Sequence, residues 1–73
     1  MSSEKLVRMA NQIAAFFETQ PRGVAAEGVA RHINDFWEPR MRTALLAHVA
    51  AGGAGLAPAV TAAAPLIRQP SEA

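Results

Sequence analysis

The stretch Phe36-Trp37-Glu38-Pro39-Arg40-Met41-Arg42 decides how this chain is divided into helices. Proline disfavours helical geometry at the residue before it, but it suits the first position of a new helix. We therefore expect the chain to leave one helix near Trp37, turn a corner at Glu38 and begin another helix at Pro39. Tryptophan and arginine are also the residue types most enriched at binding hot spots, so the same stretch is a candidate contact with another protein.

Apolar residues recur at helical spacing on both sides of this corner. Before it, the pattern predicts one helix over about 3–19 and a second over about 24–37, with a break at Gln20-Pro21-Arg22-Gly23. After it, a third helix is predicted over about 39–51 and is ended by Gly52-Gly53. The residues expected on the buried faces are Leu6, Met9 or Ala10, Ile13, Phe16 or Phe17, Ala25 or Ala26, Val29, Ile33, Phe36, Trp37, Met41, Leu45, Leu46 and Val49.

The last part of the chain has a weaker pattern. Pro58 opens and Pro65 closes an alanine-rich stretch that is too short to persist as a helix unless something packs on it. Everything after Pro65 is expected to form a frayed tail. No strand pattern competes, so we predict an all-α fold. It would consist of a three-helix hairpin or bundle over residues 1–57, followed by a short helical arm and flexible tail over residues 58–73.

Length, charge and composition limit the classes of function. A chain of 73 residues buries a smaller fraction of its surface than a larger domain does, and without cysteine it has no disulfides, so we expect a partner protein to support its stability. The net charge of +1 is far below the basic excess typical of nucleic-acid binding. The first residues lack the apolar core of a signal peptide, and no stretch approaches the ~20 apolar residues of a membrane span. We therefore expect a cytoplasmic protein that binds neither nucleic acid nor membrane.

No residue pattern is typical of a catalytic, cofactor-binding or metal-binding site, and we predict that the chain has none. The serines and threonines lack a motif that would supply an activating base, and His32 and His48 lie on different predicted helices without further ligands. We expect His32 to satisfy a backbone carbonyl and His48 to complement the dipole of the third helix. The stretch 52–55 lacks the Gly-Lys-Ser/Thr of a phosphate loop, so we interpret it as a helix C-cap and turn.

The predicted partner-binding residues are the seven of the corner: Phe36, Trp37, Glu38, Pro39, Arg40, Met41 and Arg42. Neighbouring residues of a helix point about 100° apart, so one ring of an adjacent aromatic pair can enter the core while the other turns outward. Trp37, Arg40 and Arg42 are expected to make the main contacts. The alternative is that Trp37 caps a three-helix core while Glu38 pairs with Arg42, four residues further on.

Three further segments accompany the corner stretch: Leu6-Val7-Arg8-Met9-Ala10-Asn11-Gln12-Ile13, Phe16-Phe17 and Gly52-Gly53-Ala54-Gly55-Leu56. In this order and in a chain of this length, the four segments resemble the small delta subunit of NAD-dependent, molybdenum-containing formate dehydrogenases. The resemblance covers roughly residues 4–60, and the tail after about Pro58 carries less of the pattern.

The resemblance implies a cytoplasmic complex that oxidises formate to carbon dioxide and reduces NAD. Its other subunits are expected to hold a molybdenum bis-pyranopterin guanine dinucleotide (bis-MGD) centre, iron–sulfur clusters and flavin mononucleotide (FMN). The delta subunit would be a non-catalytic partner of the large, molybdenum-cofactor-bearing subunit and would assist its assembly or stability. No cofactor is expected on this chain.

Two other functions are open if the residues alone are considered. A small helix-turn-helix nucleic-acid binder would also have two helices joined by a short corner, although few basic side chains are available here. A self-associating helical module would hide its apolar faces against a second copy.

Overall fold

The computed structural model describes residues 2–19 and 24–68. Within these ranges the chain is all-α, as predicted, and no strand is present. The elements in chain order are α1 (Ser3–Phe17), α2 (Ala25–Phe36), α3 (Pro39–Ala50), α4 (Pro58–Ala63) and a single 3-10 turn, Ala64–Leu66. The break predicted at Gln20-Pro21-Arg22-Gly23 lies outside the described residues.

The first three helices begin and end close to the positions that the sequence predicts. At the start of α1, Ser2 is the N-cap and its Oγ accepts a hydrogen bond from the backbone N–H of Lys5 at 3.2 Å. Trp37 and Glu38 have extended backbone, and α3 then begins at Pro39, so the predicted corner is confirmed. At the other end of α3, Gly53 has a φ of 66° and its N–H donates to the carbonyl of His48 at 2.9 Å. This is the glycine C-cap that the sequence indicates.

The core lies where α1, α2, α3 and α4 meet. Its largest fully buried side chains are Val29, Ile33, Leu45 and Val60. The other buried residues are Leu6, Ala10, Ala14, Ala30, Trp37, Ala59, Ala63 and Ile67. Among the remaining predicted core residues, Met9, Ile13, Phe17, Ala25, Ala26, Met41 and Leu46 are partly buried and pack against this core.

The segment after Pro58, predicted as a short arm that is helical only if something packs on it, is part of the same core. Helix α4 packs on α1 and α2, and Val60 is completely buried between them. The expectation of a frayed tail after Pro65 is wrong for residues 66–68, the first three of that tail. Ile67 is only 4% exposed, because the backbone groups before and after it are hydrogen-bonded to the side chain of Asn34. The rest of the expected tail, residues 69–73, lies outside the described residues.

Candidate partner-binding surface

Trp37 is a core residue at the corner between α2 and α3. Its backbone N–H donates to the carbonyl of Ile33 at 3.0 Å, which completes the last turn of α2. The extended backbone that follows turns the indole inward, and the side chain is only 6% exposed. The alternative prediction, in which Trp37 caps the helical core, therefore describes its position in this chain.

Arg42 connects the corner to the end of the described chain. Its Nη1 donates to the carbonyl of Trp37 at 2.9 Å, and its Nε donates to the carbonyl of Arg68 at 3.2 Å. Both acceptors are backbone groups, so this guanidinium is used within the chain rather than in the predicted pair with the carboxylate of Glu38. The corner and the segment after α4 are held together by one side chain.

The seven predicted binding residues thus divide into two groups. Trp37, Met41 and Arg42 are directed toward the protein, since Met41 is also partly buried against the core. The exposed group is Phe36, Glu38, Pro39 and Arg40. Contact with a partner stays a prediction for all seven, and in this structure only the exposed group presents its side chains to solvent.

Phe36 belongs to a larger aromatic surface that the sequence analysis did not identify as a site. Its side chain is 73% exposed, so the expectation that it lies on the buried face of the second helix is wrong. Its ring centroid lies 4.9 Å from that of His32. Phe16 is 62% exposed and makes an edge-on contact with Phe17, with ring centroids 5.1 Å apart. The sequence does contain an indication of this surface in the adjacent aromatic pairs 16–17 and 36–37. In each pair, one ring points inward and the other points outward.

Each of the two histidine side chains contacts another group of this chain. His32 is half-buried, and its ring lies against that of Phe36 but makes no hydrogen bond to the described residues, so the expectation that it satisfies a backbone carbonyl is wrong. His48 lies in the last turn of α3, as predicted, and its Nε2 donates to the carbonyl of Ala54 at 2.8 Å. This bond holds the glycine-rich turn against the end of α3.

The surface contains apolar, aromatic and ordinary charged side chains rather than reactive groups. Among residues 2–19 and 24–68, no group of three or more His, Asp and Glu side chains could hold a metal ion. In the same part of the chain, no buried side-chain nitrogen or oxygen lacks a hydrogen-bond partner. No helix found there is long and apolar enough to cross a membrane.

Fold and surface together define the class of protein: a small all-α module with an exposed aromatic surface. The family model described as NADH-dependent formate dehydrogenase delta subunit, FdsD, matches residues 5–64. Because the match covers most of the chain, the protein belongs to the formate dehydrogenase delta subunit family, and the resemblance found in the sequence is confirmed. No curated protein matches the chain.

Proposed function

We propose that this chain is a non-catalytic subunit of a cytoplasmic, NAD-dependent formate dehydrogenase and assists the assembly or stability of the large, molybdenum-cofactor-bearing subunit. Membership of the delta subunit family supports a place in such a complex. The single structural observation that carries the proposal is the exposure of Phe36 beside the corner. Burying an exposed phenylalanine stabilises a complex by about 1.5–3 kcal/mol, and Phe36 is exposed as part of an aromatic surface that includes Phe16, which favours a contact surface.

Within the corner, we assign contact to Phe36, Pro39 and Arg40. Arg40 is exposed and makes no hydrogen bond or ion pair with any residue that the structure describes, so its guanidinium is available to a partner. Trp37 and Arg42 instead hold the corner in shape from inside. A fixed corner keeps Phe36 and Arg40 in one arrangement and lowers the entropy lost when a partner binds.

The cofactors of the complex are assigned to its other subunits. Molybdenum bis-MGD, iron–sulfur clusters, FMN and NAD are all expected in the complex, and none on this chain. The sequence has no cysteine, so it has no thiolate to hold a cluster. The chain would therefore act by contact, through its effect on the folding or cofactor loading of the large subunit.

The test is co-purification of the tagged chain with the other formate dehydrogenase subunits from the cytoplasmic fraction. We expect the large subunit to elute with the chain, together with formate-dependent NAD reduction. Large subunit produced without the chain should have a lower molybdenum content or a shorter half-life. Recovery of the chain alone, with a second copy or with nucleic acid would contradict the proposal.

A matched pair of charge reversals locates the contact. Arg40→Glu should weaken recovery of the large subunit by about tenfold, because it places a negative charge where the partner accepts a positive one. Arg8→Glu changes an exposed arginine on α1 and should have no effect. Equal recovery with both variants would mean that the corner is not the contact.

A further inference from the structure

The solvent face of α2 carries a ridge of charges. Glu27, Arg31 and Asp35 are spaced four residues apart, so they form a line along the helix, and all three are exposed. The order along the ridge is negative, positive, negative. None of the three side chains makes a hydrogen bond or ion pair with another residue in the described ranges, although the spacing would allow pairing within the helix.

Beside the ridge, on the side of α1, lies an apolar trough. It consists of two adjoining hollows of about 330 Å³ and 240 Å³, which share Phe17, Gly28 and Arg31. The other lining residues are Phe16, Val24, His32 and Phe36, together with Glu27 and Asp35 of the ridge, which form its charged edge. At one end Phe16 is exposed and at the other Phe36 is exposed, so both ends of the trough present aromatic rings to solvent.

Gly28 gives the trough its floor. The ring of Phe17 lies against α2 at this position, where a Cβ atom on residue 28 would overlap it. Phe17 is partly buried and packs on the core, so the floor is fixed before any partner arrives. A preformed apolar trough bordered by unpaired charges has the composition of a binding surface, with an apolar centre and a polar rim.

We propose that this trough binds an amphipathic α-helix of a formate dehydrogenase subunit whose polar edge carries basic, acidic and basic residues at four-residue spacing. The inference rests on the proposed function and extends it to an adjoining surface, which shares Phe36 with the corner, and to a partner of stated chemistry. The basic, acidic, basic order on the partner helix follows from charge complementarity, because each charge of the ridge would face a charge of opposite sign. The apolar face of the same helix would lie on the rings of Phe16, Phe17 and Phe36.

A helix fits this surface better than an extended strand. Four residues of a helix rise about 6 Å, so two helices side by side keep charges of four-residue spacing in register. An extended strand would also need backbone hydrogen-bond partners, and the backbone groups of α2 are already used within the helix. A second copy of this chain related by a twofold axis through Arg31 would place the two Arg31 side chains against each other.

Photo-cross-linking in the assembled complex tests the proposal. A benzoylphenylalanine at position 36 or position 16 should cross-link to one helical segment of another subunit, and that segment should carry the basic, acidic, basic pattern. The same probe at Ala47, an exposed position of α3, is the control and should not cross-link to that segment. Cross-links to a second copy, to a segment without the pattern, or to no subunit of an intact complex would overturn the proposal.

Charge reversal gives an independent measurement. Arg31→Glu makes the ridge uniformly negative and should weaken binding of the large subunit, or of whichever subunit is cross-linked, by about tenfold. Reversing the facing acidic residue of that subunit to lysine should restore binding, whereas Arg8→Glu should leave it unchanged. A complex that forms normally with Arg31→Glu would overturn only this inference. Failure of the unaltered chain to form any complex would overturn the proposed function itself.

Discussion

The side chain of Asn34 holds the backbone on both sides of Ile67. Its Nδ2 donates to the carbonyl of Leu66 at 3.1 Å, and its Oδ1 accepts from the N–H of Arg68 at 2.8 Å. A carboxamide presents a donor and an acceptor side by side. Because Ile67 has extended backbone, the carbonyl before it and the N–H after it can both bond to this one group. One side chain on α2 thereby fixes the segment that follows α4.

Asn11 does the same for the segment that precedes α4. Its Nδ2 donates to the carbonyl of Gly55 at 2.9 Å, and its Oδ1 accepts from the N–H of Ala57 at 2.8 Å. Helix α4 is six residues long and has no side-chain cap, so it is too short to be stable by itself. Its position therefore depends on the burial of Val60 and on the two asparagines at its ends.

Asn34→Ala should lower the free energy of unfolding by about 1–2 kcal/mol, because two hydrogen bonds to backbone groups are lost. Urea unfolding followed by circular dichroism measures the change, and faster hydrogen exchange at the amide of Arg68 would locate it. Gln12→Ala is the control, since Gln12 is exposed on α1 and has no described hydrogen bond. Equal stability of the two variants would mean that Asn34 does not fix the segment.

Trp37→Ala should remove about 3–5 kcal/mol of stability, as expected when a buried aromatic side chain leaves a cavity. At roughly 0.05–0.15 kcal/mol per residue, a chain of 73 residues is stable by about 4–11 kcal/mol, so the variant should lose a large part of its free energy of unfolding. Phe36→Ala, at the exposed neighbour, should change stability by less than about 0.5 kcal/mol. Circular dichroism with urea titration compares the two. A Trp37→Ala chain as stable as the Phe36→Ala chain would show that the indole is not part of the core.

Gly28→Ala should destabilise the chain by about 1–3 kcal/mol, because the added methyl group overlaps the ring of Phe17. If no ring lay against α2 at this position, the same change would stabilise the helix by about 0.8–1.0 kcal/mol through helix propensity. The effect should therefore change sign when Gly28→Ala is made in a Phe17→Ala background. A double-mutant cycle by thermal or urea unfolding measures this, and the same sign in both backgrounds would contradict the close contact.

The helices and the corner could be predicted from the sequence because local residues determine them. Proline at position 39 and glycine at positions 52 and 53 act on their own neighbours, and apolar spacing marks each helix face. The packing of residues 58–68 could not be predicted, because it depends on contacts with residues far away in the chain. The two asparagines bind backbone groups between 32 and 46 residues distant. Local periodicity contains no information about such pairs.

The candidate surface was predictable only in part, for the same reason. The sequence indicates that one ring of each aromatic pair turns outward, but not which one. The extended backbone after α2 turns Trp37 inward, and the segment held by Arg42 and Asn34 packs at the same end of the core. Phe36 consequently remains in solvent. The role of Arg42 also depends on Arg68, a residue that the sequence pattern places in a frayed tail.

Arg42 and Arg40 should therefore differ in the kind of defect that their removal causes. Arg42→Ala leaves the carbonyls of Trp37 and Arg68 without their donor and should cost about 2 kcal/mol of stability. Arg42→Lys should rescue little, because an ammonium group cannot reproduce the fork geometry that reaches both carbonyls.

Arg40→Ala should leave the urea midpoint unchanged and weaken binding of the large subunit, since its guanidinium makes no hydrogen bond or ion pair in the described part of the chain. Unfolding and subunit recovery, measured on both variants, separate the two effects. If Arg42→Ala kept full stability and lost the partner, Arg42 would be a direct contact and the corner would not be held from inside.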